Sequence, residues 1–244
     1  MIEELVKLTR AIQGERFPDS EVIFLAGSLV RGEGTVTSDL DLVVLYKSLP
    51  NARRESFMYE GRPVEAFIHD PETLNHFFLE VDRHAGVPSL PTMICEGIEI
   101  PQASEFSRSI KALAASVISS GPPQWTQRDI DSSRYAITNL ADDLRAPRSR
   151  AEQVATATSL FGALSNHYLR SQGMWSGKDK SIPRVLHRAD PAFSERFDAA
   201  FAKLFQNADS SLVLALVEEI LAPRGGLLFD GYTVPAPSNW RRSS

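Results

Sequence analysis

Two short apolar runs stand out in the hydrophobic pattern of the first fifty residues. The first run, Val22–Ala26, ends at Gly27-Ser28, and the second run, Leu42–Tyr46, follows Asp39-Leu40-Asp41. Both runs contain β-branched residues and are bounded by turn-forming residues, which is typical of short buried strands. We therefore predict two neighbouring strands that are joined by a polar segment containing glycine.

The first hundred residues otherwise alternate between helical and extended patterns. Apolar positions at helical spacing predict an amphipathic helix over Ile2–Gln13. Strands are predicted at Ser56–Tyr59 and Arg62–His69, because apolar side chains recur at every second position. Asp70 is a suitable N-cap for a helix that begins at Pro71.

Three further segments of this half have weaker patterns. Residues 28–34 fit the start of a short helix behind the first strand, and residues 49–54 fit a polar connection. Residues 91–100 fit a short helix followed by an extended segment. These segments complete an arrangement of strands and helices in the first half of the chain.

From Gln102 onward the pattern is helical only. The predicted helices, separated by glycine and proline breaks, are 110–117, 130–144 after a capping box at Thr126 and Asp129, 148–171, 183–187, 191–205 and 211–221. We therefore predict an α+β protein: a domain of mixed sheet and helices at residues 1–101, an all-helical bundle at 102–222 and an extended tail at 223–244.

Composition narrows the class of protein. The chain has 244 residues, of which 43% are hydrophobic and 23% charged, as is usual for a globular protein. Its net charge of −5 argues against a non-specific nucleic-acid binder, which needs a basic surface. The single cysteine, Cys95, excludes an intrachain disulfide and fits a reducing compartment. We interpret Cys95 as an inert buried thiol, because its neighbours are apolar.

The chain lacks the usual signals for membrane insertion or export. Its N-terminus carries acidic residues without a continuous apolar block, unlike a signal peptide, and no stretch reaches the roughly 20 apolar residues of a membrane-spanning helix. We expect a cytoplasmic protein that does not act at a membrane.

Three acidic residues form the strongest candidate site. Asp39 and Asp41 share one face of an extended segment, with Cα atoms about 6.6 Å apart, and such a pair can converge on Mg²⁺. Glu65 stands alone in an apolar strand, where an unpaired charge is costly. Taken singly, each acid also fits a strand-edge turn or a solvent-facing position. Together with the Gly27-Ser28 turn, whose backbone N–H groups suit phosphate, they favour a nucleotide site with metal.

The string GSLVRGEGTVTSDLDL, in which ten residues separate Gly27-Ser28 from Asp39-x-Asp41, together with Glu65 on a later strand, resembles the motif of the DNA polymerase β-type nucleotidyltransferase superfamily. It is most similar to the minimal and antibiotic-modifying members, which pair this domain with a C-terminal helical bundle. The resemblance covers about the first 70 residues. It implies that Asp39 and Asp41 bind one or two Mg²⁺ ions and that Glu65 is the third metal ligand or the general base.

The resemblance also implies how the nucleotide is held. Gly27 and Ser28 would hold the β- and γ-phosphates, and Ser38 belongs to the same nucleotide-binding motif. Arg31 has two interpretations, a phosphate contact through its planar guanidinium or a surface ion pair.

Two features of the helical half are open to a functional interpretation. The segment Met174–Lys180 is similar to a loop of antibiotic nucleotidyltransferases in which a lysine reaches the triphosphate, so Lys178 or Lys180 is a candidate phosphate ligand. The alternative is a solvated loop anchored by Trp175. Asp142-Asp143 fits a general base or an amine-binding patch, but an exposed helix face is the favoured interpretation.

We expect an enzyme that transfers a nucleoside monophosphate from an NTP, ATP being the expected donor, to an acceptor hydroxyl. A small aminoglycoside-like acceptor is favoured, and the acidic charge balance of the chain suits a cationic acceptor. Two alternatives stay open: a toxin-type enzyme that modifies a protein or tRNA, and a non-catalytic nucleotide-binding regulatory module. An oligomer is compatible with the resemblance, since some members build the cleft between two subunits.

Overall fold

The computed structural model describes residues 2–237 and residue 240. Backbone contacts divide the chain into two compact units, Met1–Pro123 and Gln124–Ser244. Each unit has its own cluster of buried apolar side chains. The prediction of an α+β protein, with a mixed sheet first and helices afterwards, is confirmed.

The first unit consists of helices around a sheet. Its strands are β1 (Val22–Ala26), β2 (Leu40–Leu45), β3 (Arg53–Tyr59), β4 (Arg62–His69) and β5 (Ile98–Ile100). Its helices are α1 (Ile2–Arg16), α2 (Gly27–Val30), α3 (Pro71–His76), α4 (Arg83–Ala85), α5 (Ser89–Glu96) and α6 (Glu105–Ser120), with a π-helical segment, Phe77–Asp82, between α3 and α4.

The sheet has the strand order β3-β4-β2-β1-β5 among the described residues. Strands β2 and β4 pair in parallel, whereas the other neighbours pair antiparallel. The hairpin between β3 and β4 turns at Glu60-Gly61, where both residues have positive φ, as a two-residue type I′ turn requires. Strand β3 therefore lies at one edge of the sheet.

The two faces of the sheet differ as the alternation predicts. Leu40, Leu42, Val64 and Ala66 are fully or almost fully buried in the core of the first unit. Each buried leucine or valine side chain contributes about 1.5–3 kcal/mol to stability. The opposite face carries the half-buried acids of β2 and β4 together with fully buried side chains such as Phe24 and Val43, so the candidate site lies on a face that also contributes to the core.

Helix α6 belongs by its contacts to the first unit, although the sequence pattern grouped it with the helical half. Its buried residues Ile110 and Ala114 lie on the apolar stripe of a helix that packs against α5. Lys111 on the same helix donates a hydrogen bond to the carbonyl oxygen of Gly97 at 2.9 Å. The boundary between the two units along the chain lies between Pro123 and Gln124, whereas the sequence predicts a domain boundary after residue 101.

The second unit is helical. Its α-helices are α7 (Gln127–Arg145), α8 (Arg150–Arg170), α9 (Ile182–Ala189), α10 (Pro191–Asn207) and α11 (Ser211–Leu221). The capping box predicted for α7 is present, because Thr126 accepts from the backbone of Asp129 and the Asp129 carboxylate accepts from the backbone of Thr126. The core includes a run of aromatic rings in which Phe161 contacts Phe197 and Phe201 with centroids 4.9 Å apart.

The C-terminal segment is fixed to α7 by side chains. Arg134 donates from Nη2 to the carbonyl oxygen of Gly225 and from Nε to that of Gly226, each at 2.8 Å. Tyr135 stacks on Tyr232 with ring centroids 4.1 Å apart. The part of the predicted tail at residues 238, 239 and 241–244 lies outside the described residues.

Predicted and observed elements differ mainly at their ends. Helix α1 continues past Gly14 to Arg16, β2 begins at Leu40 rather than Leu42, and β3 begins at Arg53 within the predicted polar connection. The added residues of β2 and β3 are assigned to strands by their backbone pairing with β4, which the apolar pattern of one segment does not show. Within the described part of the chain, no helix combines the length and apolar character needed to cross a bilayer.

Candidate active site

Three carboxylates converge on one face of the sheet. Asp39 precedes β2, Asp41 lies in β2 and Glu65 lies opposite Asp41 in β4. One carboxylate oxygen from each lies within 4.8 Å of the others, and all three residues are half-buried. The parallel pairing of β2 with β4 therefore brings together the acids that the sequence singled out.

The donor set suits a hard divalent cation. Mg²⁺ binds carboxylate oxygens. The protein usually supplies a few ligands, and phosphates and water supply the others. Three acids at this separation also repel one another, so a bound cation would relieve the repulsion. Asp39, Asp41 and Glu65 thus fit the metal that the superfamily resemblance implies.

Gly27 brings the turn after β1 against Asp41. A Cβ atom at Gly27 would lie 1.9 Å from Oδ2 of Asp41, closer than any real contact, and Gly27 has φ of +82°. Ala26 pairs with Asp41 across the strands, which sets this close approach. Only glycine allows the Asp41 carboxylate to lie so near the turn backbone.

Hydroxyl groups link the two ends of the segment between β1 and β2. Ser28 donates from Oγ to Oγ of Ser38 at 3.3 Å, and the backbone N–H of Thr35 donates to the same Ser38 oxygen at 2.8 Å. Ser38 directly precedes Asp39. The structure therefore brings together Gly27, Ser28 and Ser38, the predicted phosphate-binding residues, beside the acids, while their role stays a prediction.

Arg31 lies in an ion-pair cluster. Its Nε donates to Glu33 at 2.9 Å and its Nη1 donates to Glu96 at 3.2 Å. Although burial acts to lower the pKa of Arg31, the two carboxylates outweigh it and raise the pKa above its ordinary value. This geometry matches the ion-pair interpretation of Arg31, and a phosphate contact stays a prediction.

Arg54 is a contact of the site that the sequence interpretation missed. Its guanidinium donates to Oε1 of Glu65 and forms an ion pair with it, and its Cζ lies 5.0 Å from the centroid of the Phe67 ring. The sequence pattern predicts a polar connection at residues 49–54, which leaves Arg54 outside the predicted strands. The alternation that continues backward from Ser56 and Met58 could have placed it on the face that carries Glu65.

A groove of 310 Å³ adjoins the acids on β3 and β4. Apolar side chains form most of its lining, with one serine and two of the acids: Asp39, Ser56, Phe57, Met58, Pro63, Val64 and Glu65. Its volume lies at the lower end of the range of small-molecule pockets, about 300–1,000 Å³. The groove can therefore take a compact group directly beside Glu65.

The remaining candidates lie in the second unit. Lys178 and Lys180 are exposed, next to the short turn Asp179–Ser181 that leads into α9. Asp142 pairs with Arg145, and Asp143 lies on the same exposed face of α7. The two lysines stay candidate phosphate ligands. Cys95 is half-buried and burial raises the pKa of its thiol, in keeping with an inert thiol.

Comparison with known proteins identifies the class of the first unit. Residues 6–82 match the family model described as "Nucleotidyltransferase domain". The match spans β1 to β4 and contains all three acids, which confirms the predicted superfamily and the prediction of a nucleotidyltransferase enzyme.

The chain is also similar to a solved structure, the nucleotidyltransferase-like protein from Exiguobacterium sibiricum 255-15. The two are 14% identical with a TM-score of 0.45, over 90% of this chain and 75% of the other. No curated protein matches the chain.

Proposed function

We propose that this nucleotidyltransferase of the DNA polymerase β-type superfamily transfers a nucleoside monophosphate from a metal-bound NTP to a hydroxyl of a small-molecule acceptor. ATP is the expected donor and Mg²⁺ the expected metal. The observation that carries the proposal is the convergence of Asp39, Asp41 and Glu65 within 4.8 Å beside the Gly27-Ser28 turn. Carboxylates this close repel one another, and a bound divalent cation would relieve that repulsion.

The acids have separate roles in this proposal. Asp39 and Asp41 hold the metal, and Glu65 completes the set or accepts the proton of the acceptor hydroxyl. Bound Mg²⁺ supplies charge neutralisation on the phosphates and a lower pKa of the acceptor hydroxyl. The acceptor oxygen forms a bond to the α-phosphorus, the bond from that phosphorus to the bridging oxygen breaks, and pyrophosphate leaves.

The segment between β1 and β2 positions the donor. Gly27 keeps the turn backbone close to Asp41, and the hydroxyls of Ser28 and Ser38 lie on the same segment. We expect these groups to bind the β- and γ-phosphates, because hydroxyl and backbone N–H donors in fixed positions stabilise phosphate charge. Lys178, Lys180 and Arg31 are further candidates for phosphate contacts.

The acceptor is expected in the groove on β3 and β4. Its apolar residues suit the carbon skeleton of a hydroxylated ring, and Glu65, which also lines the groove, is the candidate base for the reacting hydroxyl. We expect one hydroxyl-bearing ring of an aminoglycoside-like acceptor there, and the net charge of −5 favours a molecule that carries amino groups. A protein or tRNA acceptor is the second candidate, and the net charge of −5 counts against tRNA.

The proposal is tested by incubating the protein with Mg²⁺ and each α-³²P-labelled NTP, together with aminoglycosides, tRNA or cell lysate. We expect label on an aminoglycoside-like acceptor with ATP as donor. Asp41→Asn should abolish transfer while the melting temperature is retained. Asp19→Asn, which removes the same charge from an exposed turn, is the matched control and should leave transfer unchanged.

Other outcomes separate the alternatives. Label on protein or tRNA alone would replace the small-molecule acceptor by the toxin-type function. Tight NTP binding without label on any acceptor would favour a regulatory module. Full activity of the doubly substituted Asp39→Asn/Asp41→Asn protein would refute the role of the two carboxylates.

A further inference from the structure

Arg54 occupies a defined position beside the three acids. It lies on the edge strand β3, opposite Phe67 of β4, and Ser56 lies opposite Glu65. Alternate residues on paired strands share a face, so Arg54, Phe67 and Glu65 lie on the same side of the sheet. The Arg54 side chain crosses diagonally to Glu65, and the guanidinium is held at one end by the carboxylate and on one face by the Phe67 ring.

The charge of Arg54 matters because of what it faces. Two like charges about 4 Å apart repel by about 1 kcal/mol even in water, and three carboxylates lie within that range here. The guanidinium of Arg54 compensates one of the three negative charges. A divalent cation bound by the same acids would compensate two, and it would lie close to Arg54.

The two partners of Glu65 differ in how freely they move. The Glu65 side chain is 21% exposed, whereas the Arg54 side chain is 59% exposed. Arg54 can therefore leave Glu65 by rotating into solvent without disturbing the core. Glu65 is fixed by the backbone pairing of β4 with both β2 and β3.

We propose that Arg54 is a positioning residue that holds Glu65 in the absence of metal and is exchanged for a divalent cation, so that its charge limits the metal affinity of the free enzyme. The inference rests on the metal site of the proposed function. It adds one step to metal binding: Glu65 must release the guanidinium of Arg54 before it binds the divalent cation. Arg54 thereby keeps the Glu65 carboxylate oriented in the absence of metal and lowers the affinity of the site for the metal.

The test measures binding of Mn²⁺ without nucleotide, through the electron paramagnetic resonance signal of the free ion. Arg54→Gln removes the charge and should tighten Mn²⁺ binding about 3- to 10-fold, since the competing cation is lost from an exposed site. Arg54→Lys keeps the charge and should bind Mn²⁺ with nearly the affinity of the unmodified protein. The gain in Arg54→Gln should shrink as NaCl is raised.

Arg53→Gln is the matched control. Arg53 neighbours Arg54 on β3, but it pairs with Glu55 and alternation places it on the opposite face. The same loss of charge there should leave Mn²⁺ affinity unchanged. Equal tightening in Arg53→Gln would reduce the effect to net charge and overturn the inference.

The remaining outcomes are also decisive. Unchanged or weaker Mn²⁺ binding in Arg54→Gln, with clear binding by the unmodified protein, would refute the role of Arg54 and leave the metal site intact. Loss of that binding in Asp41→Asn identifies the site being measured. Absence of Mn²⁺ binding in the unmodified protein and in Arg54→Gln would overturn both this inference and the metal-dependent function.

Discussion

Gly27 is subject to two constraints that can be separated by mutation. Gly27 and Gly32 both have positive φ, +82° and +73°, but only Gly27 lies against Asp41, and nothing lies within 4 Å of a Cβ atom at Gly32. Gly27→Ala should therefore displace the Asp41 carboxylate and lower the rate of transfer by about 100-fold, the scale of a 1 Å misplacement. Gly32→Ala should introduce only backbone strain, which lowers the free energy of unfolding by about 1–2 kcal/mol.

The measurements for this pair are the rate of transfer and the free energy of unfolding of both variants. Similar loss of activity in Gly27→Ala and Gly32→Ala would mean that backbone strain, and not the clash with Asp41, is responsible.

His167 predicts a pH dependence of stability. Its ring is buried, Nδ1 lies 2.9 Å from the hydroxyl of Ser133, and the ring packs edge-on against Trp125. Burial, with a smaller effect of Arg134 and Arg224, lowers the pKa of His167 to about 4. The unfolded chain, whose histidine has a pKa of about 6.5, takes up the proton first as pH falls.

Unfolding of the second unit should therefore become easier as pH falls from about 6.5 to 4, by about 3 kcal/mol across the window. The contribution of neutral His167 to the free energy of unfolding is fully present above pH 6.5 and is lost as pH falls to about 4. The ¹H–¹³C signals of His167 in a pH titration measure the pKa directly. A midpoint near 6.5 in the folded protein would contradict the prediction, and His167→Asn should remove this part of the pH dependence.

The individual site residues differ in whether the sequence could predict them. Asp39, Asp41 and Glu65 could be identified because charge in an apolar, alternating context is conspicuous. The contact of Arg54 with Glu65 could not, because it depends on which strand lies beside β4. The reason for glycine at position 27 also required the distance to Asp41, which sequence spacing does not provide.

Among the elements, helix α7 makes a contact whose loss should be measurable. Arg134 is 8% exposed and binds Gly225, Gly226 and Asp131. Arg134→Ala leaves two carbonyl oxygens without their donor, and we expect a loss of about 2–3 kcal/mol in the free energy of unfolding, as for hydrogen bonds to charged groups. Urea denaturation checks the value. Arg128→Ala, at an exposed position of the same helix, should change stability little, and an equal loss there would contradict the assignment.

Elements with strong local signals were predicted best. Strands β1 and β4 and helix α11 have the predicted bounds, and the caps at Asp70 and Thr126 are present. Local chemistry suffices there, since a cap needs only its own first turn. The start of β3 and the contacts of the C-terminal segment depend on partners distant in sequence, so local patterns could not reveal them.

For the whole molecule, separate cores predict that the units fold separately. A fragment of residues 1–123 should melt cooperatively and bind Mn²⁺, because it contains the sheet, α6 and the three acids. A fragment of residues 1–101, cut at the domain boundary predicted from sequence, lacks α6 and would expose the side of α5 that α6 covers. We expect it to aggregate or melt at lower temperature. Equal melting of both fragments would favour the boundary predicted from sequence.

The overall class was readable because it follows from the order of patterns: alternating strand and helix signals, then helical signals alone. The assignment of α6 to the first unit could not be predicted. The apolar stripe of an amphipathic helix shows that one face is buried, but it does not show which element that face covers. Helix α6 covers α5 in the first unit.

The parallel pairing of β2 with β4 has a consequence for the order in which the molecule assembles. The β3–β4 hairpin closes through a two-residue turn and is local, whereas β2 must skip over β3 to reach β4. Pairings between segments distant in sequence form late, because the chain loses entropy on closing the loop before the contacts that offset this loss are made. The acids are brought together only by this non-local pairing. Uptake of a divalent ion during refolding should therefore lag behind formation of the β3–β4 hairpin.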